Sequence, residues 1–147
     1  MTTIAYRDGI MAADSKISDR GCYVGSTQKI FRADDGTIGG MAGCLGDLGI
    51  FRDWLLSGRV GPCEFMDDSS EALFVTPDGR VWNAFHGGRI FEITGPSYFA
   101  AGSGFRIALG AMAAGASAAE ALRICCDLDS ETRTPIWVER IAGIDGD

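Results

Sequence analysis

Two short apolar runs open the chain, at residues 2–6 and 10–13, separated by Arg7-Asp8-Gly9. Asp-Gly between such runs is a strong hairpin signal, because both turn positions require positive φ. Residues 15–21 read as a polar loop, 22–24 as a short strand and 26–32 as a longer one. Asp34-Asp35-Gly36 marks another turn, followed by a small-residue strand over 37–42 that ends at Gly43. Leu45, Leu48, Phe51 and Leu55 then recur at three- and four-residue steps, which predicts an amphipathic helix closed by Ser57-Gly58. Asp47 and Asp53 fall on its other faces. Residues 59–70 have no period and read as a loop or a single helical turn.

Three strands follow, at 71–76, 80–85 and 89–93, joined by Pro77-Asp78-Gly79 and Gly87-Gly88. A strand at 98–101 enters Gly102-Ser103-Gly104. One helix is predicted over 103–114, with Phe105, Leu109 and Met112 on its apolar face. A second opens at Ser117-Ala118-Ala119-Glu120, a capping box, and buries Leu122, Cys125 and Cys126. Thr134-Pro135 begins a last strand through Ile141, and the tail at 143–147 is expected to fray. The order is strands, helix, strands, two helices, strand. Two antiparallel sheets face to face, with helices outside, would bury both kinds of apolar face, which predicts a single α+β domain.

Composition narrows the chemistry. The net charge of -7, from 13 basic and 20 acidic residues, argues against a nucleic-acid partner. No apolar run is long enough for a membrane helix, and no export signal opens the chain. Five cysteines, Cys22, Cys44, Cys63, Cys125 and Cys126, include no CxxC pair, and the expectation is reduced thiols in a cytoplasm. One histidine, His86, with scattered cysteines does not make a metal set. No Gly-x-Ser-x-Gly elbow accompanies His86, so a serine triad is not supported.

The candidate nucleophile lies at the start. Met1 precedes the small residue Thr2, and methionine is commonly trimmed there. A terminal threonine carries both hydroxyl nucleophile and α-amine base, the amine titrating near ~7.7–8.0. The predicted hairpin would bring Thr2 beside Asp14.

Thr2-Thr3-Ile4, Gly9-Ile10-Met11-Ala12-Ala13-Asp14-Ser15, Lys29-Ile30, Gly40-Met41-Ala42-Gly43 and Gly102-Ser103-Gly104 occur in the order of the signatures of proteasome β subunits and their bacterial relative HslV. The chain resembles that family from Thr2 to about Ser130. The resemblance implies the four-layer αββα sandwich of N-terminal-nucleophile hydrolases, here with the second helix of the first pair reduced. It implies a threonine-type endopeptidase acting on unfolded polypeptides through Thr2, without a cofactor. It also implies a homo-oligomeric ring, hexameric or heptameric, single or stacked, served by an AAA+ unfoldase.

Residue by residue, Thr2 matches the nucleophile, Asp14 the buried aspartate and Lys29 its paired lysine. Gly43 matches the oxyanion-hole glycine, and Ser103 the serine near the amine. Asp127 and Ser130 match an Asp-x-x-Ser spacing that completes the polar cluster. Phe31, Met41 and Leu45 resemble the lining of an apolar specificity pocket, and core packing explains each equally well. Two other readings fit the same scaffold: a non-catalytic ring subunit that keeps Met1, and a hydrolase of small amides.

Overall fold

The computed structural model describes residues 2–141. Met1, whose removal the N-terminal threonine reading expects, and the tail at 143–147 lie outside the described residues. Strands β1 (Thr3–Arg7) and β2 (Ile10–Ala13) form the expected hairpin, with Asp8 and Gly9 at φ 51° and 83°. Residues 15–21 are not a loop. Lys16–Asp19 form β3, which pairs with β4 (Cys22–Ser26) around Arg20 and Gly21 at φ 52° and 81°. In this hairpin β4 is mostly exposed and β3 half-buried, and neither shows the regular apolar alternation that marks a strand in sequence. The strand expected over 26–32 contracts to β5 (Ile30–Arg32), because the Thr27 amide turns away to donate to the Ser15 carbonyl.

There follow β6 (Ile38–Ala42), α1 (Leu45–Leu56), β7 (Glu71–Val75), β8 (Val81–Phe85), β9 (Arg89–Ile93), β10 (Tyr98–Gly102), α2 (Phe105–Ala113), α3 (Ala118–Leu128) and β11 (Trp137–Arg140). No helix among the described residues lies between α1 and β7, and none is long and apolar enough to cross a membrane.

The chain is α+β, with every paired strand antiparallel. One sheet has the order β10-β1-β2-β11 and another β5-β6-β7-β8-β9. Period-2 alternation explains how they stack. In the first, Ile4, Tyr6, Met11 and Ala13 meet Ile30, Ile38, Leu73 and Val75 of the second. The intervening Ala5 and Ala12 face α2 and α3, where small side chains let Met112, Leu122 and Cys125 sit close. On the far face of the five-stranded sheet, Phe31, Met41, Ala72 and Phe74 pack against Leu48, Phe51, Trp54 and Leu55 of α1. Both sheets are therefore covered on two sides, by each other and by helices.

Two helix faces differ from expectation. The buried stripe of α2 is Ala108 and Met112, one turn apart, while Phe105 and Leu109 stand partly exposed. Asp47 faces inward from α1 and is buried. The capping box of Ser117 and Glu120 opens α3 as predicted.

The glycines of β6 set the spacing between layers. A Cβ on Gly40 would lie 2.5 Å from Ile30 Cγ2 and 2.9 Å from Ile4 Cδ1. One on Gly39 would lie 2.8 Å from Phe74 Cβ, toward α1. Gly40→Ala is therefore expected to overpack the sheet interface and cost about 1–3 kcal/mol. Urea titration checks this: the midpoint should fall at an unchanged slope.

Candidate functional site

The site grows from the end of the first hairpin. Pairing of Ile4 with Ala13 sets Asp14 opposite Thr3. The Asp14 amide donates to the Thr3 carbonyl at 3.2 Å, and the Thr3 amide donates to Asp14 Oδ1 at 3.0 Å. Thr2 is therefore held one residue from Asp14. On its other side β1 pairs with β10, and the Ser103 amide donates to the Thr2 carbonyl at 2.8 Å. Gly102 makes that approach possible: at φ 95°, a Cβ there would overlap the Thr2 carbonyl oxygen. Gly104 does the same for Thr3, since a Cβ would come within 2.4 Å of Oγ1. The Gly-Ser-Gly sequence is thus the seat of the N-terminal strand.

Asp14 is fully buried and receives four donors. Besides the Thr3 amide these are the Lys16 amide (3.1 Å), the Arg133 amide (3.3 Å) and Lys29 Nζ, 3.3 Å from Oδ1 and 3.4 Å from Oδ2. Lys29 is itself 1% exposed. Burial pulls its ammonium below the ordinary lysine range, against the opposing charges of Asp14 and Glu131.

Thr2, Lys29 and Gly43 line one cavity of about 310 Å³, together with Leu45 and with Lys16, Ile17, Ser18 and Glu131. Gly43 follows the last residue of β6 at φ 125°, and a Cβ there would lie 2.6 Å from Ser70 Cα. Ser70 is fixed in turn. Its hydroxyl accepts from the Cys44 amide at 3.2 Å and donates to Asp47 Oδ2 at 2.7 Å. Asp47 also accepts from the amides of Met66 (2.9 Å) and Asp67 (3.0 Å). It ties the aperiodic loop to α1 behind Gly43. Burial pushes its carboxyl up, but the three hydrogen bonds outweigh that and hold it below the usual range.

Ser103 Oγ donates to Asp129 Oδ2 at 2.9 Å. Thr132 also donates to that oxygen, and its hydroxyl lies 2.7 Å from Thr3 Oγ1. Asp127 and Ser130 are both exposed. The acid-and-hydroxyl pair that the structure brings to Ser103 is Asp129 and Thr132, two positions later with the same three-residue step. The reason is the end of α3: Asp127 is still helical and turned outward, while Asp129 is the extended C-cap. Burial pushes the Asp129 carboxyl up, but hydrogen bonds from Thr132 and Ser103 hold it low. Ser130 contributes its carbonyl, which accepts from Lys16 Nζ at 2.7 Å.

Of the three pocket candidates, Leu45 lines the cavity and is 41% exposed. Phe31 and Met41 are buried under α1 on the opposite face of their strands, so core packing is their place. The polar walls Lys16, Ser18 and Glu131 escaped the sequence reading. Ser18 Oγ donates to Glu131 Oε2 at 3.2 Å, and Lys16 Nζ lies 4.0 Å from the same oxygen. Among the described residues, no cluster of His, Cys, Asp and Glu has the arrangement of a metal site.

No protein-family model matches the chain, and no curated protein matches it. Solved structures do. Thiobacillus denitrificans BPH in complex with epoxomicin is similar at a TM-score of 0.66 and 20% identity, covering 96% of this chain and 98% of that one. Another structure of Thiobacillus denitrificans BPH gives 0.66 and 18%, over 97% and 99%. The likeness is one of fold, over nearly the whole of both chains.

The unequal load on the buried pair gives a test. Asp14→Ala removes the acceptor of three backbone amides and the carboxylate that faces the buried Lys29 ammonium, and is expected to cost about 3–5 kcal/mol. Lys29→Met leaves Asp14 its three amides and is expected to cost less, about 1–3 kcal/mol. Urea unfolding of both variants checks the order. A second test uses Asp47. Its folded-state value lies below the unfolded one of about 3.9, so its contribution is complete above that pH. The contribution should disappear as pH falls through the folded-state value, and Asp47→Asn should lack this part of the acid dependence.

Proposed function

We propose that the chain is an N-terminal threonine hydrolase with the αββα fold of that class, a peptidase of the proteasome β-subunit and HslV type. One observation carries the reading. Thr2 is clamped at the wall of a cavity that also exposes Gly43, with the buried Lys29–Asp14 pair beneath it.

In this reading, removal of Met1 frees the Thr2 amine. Thr2 Oγ1 attacks the scissile carbonyl and passes its proton to that amine, directly or through water. Lys29, a cation held against Asp14, lowers the cost of developing charge on the hydroxyl. The Gly43 amide donates to the tetrahedral oxyanion; in another hydrolase one such donor is worth about 100–1,000-fold in turnover. The intermediate collapses as the peptide nitrogen takes the proton and leaves, and water then hydrolyses the ester on Thr2. Ser103, whose hydroxyl is held by Asp129, positions the Thr2 backbone through its amide. The substrate is an unfolded polypeptide, admitted to the inner chamber of a ring of copies, with an unfoldase supplying it. The fold shared with BPH, which takes epoxomicin, supports the choice of probe.

The test is intact-mass spectrometry before and after an epoxyketone that reacts with both the hydroxyl and the amine of a terminal threonine. The expected outcome is loss of Met1 and a single adduct, absent in Thr2→Ala. Retained Met1 with no adduct would overturn the mature-enzyme reading for that preparation and favour a non-catalytic assembly subunit or an unprocessed precursor.

A further inference from the structure

A larger cavity lies at the other end of β1. Thr2 adjoins its first residue and Arg7 is its last, so the two sites are separated by roughly 16 Å of strand. This second cavity, about 760 Å³, opens between the start of α3 and the strand ends at Ile10 and Arg140. Three arginines line it: Arg7, Arg123 and Arg140. In a chain with 13 basic and 20 acidic residues, that convergence is against the average.

Two carboxylates share the lining, and both are engaged. Glu120 Oε1 accepts from the Ser117 amide at 2.9 Å within the capping box, and its charge also faces Arg123 one turn on. Asp8 Oδ2 lies 3.5 Å from Arg7 Nε. Arg7 is fixed as well. Its Nη1 donates to the carbonyls of Met112 and Ala116, and its guanidinium lies 5.3 Å from the centre of the Tyr98 ring. Arg7 therefore supplies charge from a rigid position, while Arg123 is exposed on α3. The rest of the wall is the short stretch 115–119, which includes the Ser117 hydroxyl, and the branched apolar side chains of Ile10 and Val138.

We propose that this cavity binds a small organic anion, with its phosphate or carboxylate against Arg123 and Arg140 and an apolar body against Ile10 and Val138. The volume falls in the range of small-molecule sites, roughly 300–1,000 Å³. Guanidinium is the side chain suited to either oxyanion, because its paired N–H groups match two oxygens at once. The site is independent of the chemistry at Thr2.

Amide NMR spectra of the full chain, titrated separately with inorganic phosphate, hexyl phosphate and hexanoate, test this. Saturable shifts are expected at residues 115–119 and at Val138, with half-saturation below about 5 mM for at least one amphiphilic anion. Inorganic phosphate should bind more weakly than hexyl phosphate. The tighter of hexyl phosphate and hexanoate identifies the anionic group. Arg123→Gln and Arg140→Gln should each weaken binding about tenfold; Arg123 is exposed, so its variant keeps the fold. Absence of saturation at about 20 mM, or unchanged shifts in both variants, would overturn the proposal.

Discussion

The carboxylate of Asp14 is the constraint on which the rest of the site depends. A buried charge is tolerable only when paired and hydrogen-bonded. Here the pairing is met by Lys29, and the hydrogen bonds by backbone amides from β1, from the start of β3 and from the approach to β11. One side chain therefore fixes where the first strand begins, where the exposed hairpin leaves the domain and where the last strand returns. Lys29 is as much a product of that arrangement as a partner in it, because only an anion already in place makes an ammonium at 1% exposure affordable.

The second constraint is closeness. Gly102 and Gly104 let the backbone of residues 102–104 lie directly on Thr2 and Thr3, and Gly40 lets the two sheets meet at Ile4 and Ile30. Bulky alternation alone would have given a thicker sandwich with a looser site. Asp47 acts at longer range. It gathers a loop with no periodic structure of its own and sets Ser70 behind Gly43, so the geometry of that glycine is decided by an acid on the far side of the turn.

Local signals were the legible ones. Asp8-Gly9 announces its hairpin, and Ser117 with Glu120 announces the start of α3, because in both cases the interacting groups are within a few residues. The convergence of Thr2, Lys29 and Gly43 on one cavity was readable only through the order of family-like motifs, since nothing in their spacing reveals it. Three failures share the complementary cause. Asp47 looked like a solvent-facing helix acid, but its partners lie 19 to 23 residues onward in an aperiodic loop. Asp127 was named on an Asp-x-x-Ser spacing, which does not say where α3 ends, and the acid that turns toward Ser103 is the C-cap two positions on. Phe31 and Met41 were ambiguous because strand periodicity says that a side chain is inward without saying toward which layer.

The amide of Arg133 reaches Asp14 across 119 positions of sequence. On a growing chain Asp14 emerges 119 residues before this donor. The set of donors around Asp14 is therefore completed only when the chain has been made through Arg133, and a chain stopped before that point holds the buried acid without its full complement of hydrogen bonds. The approach to β11 thus finishes, late in synthesis, a cluster that the first hairpin begins.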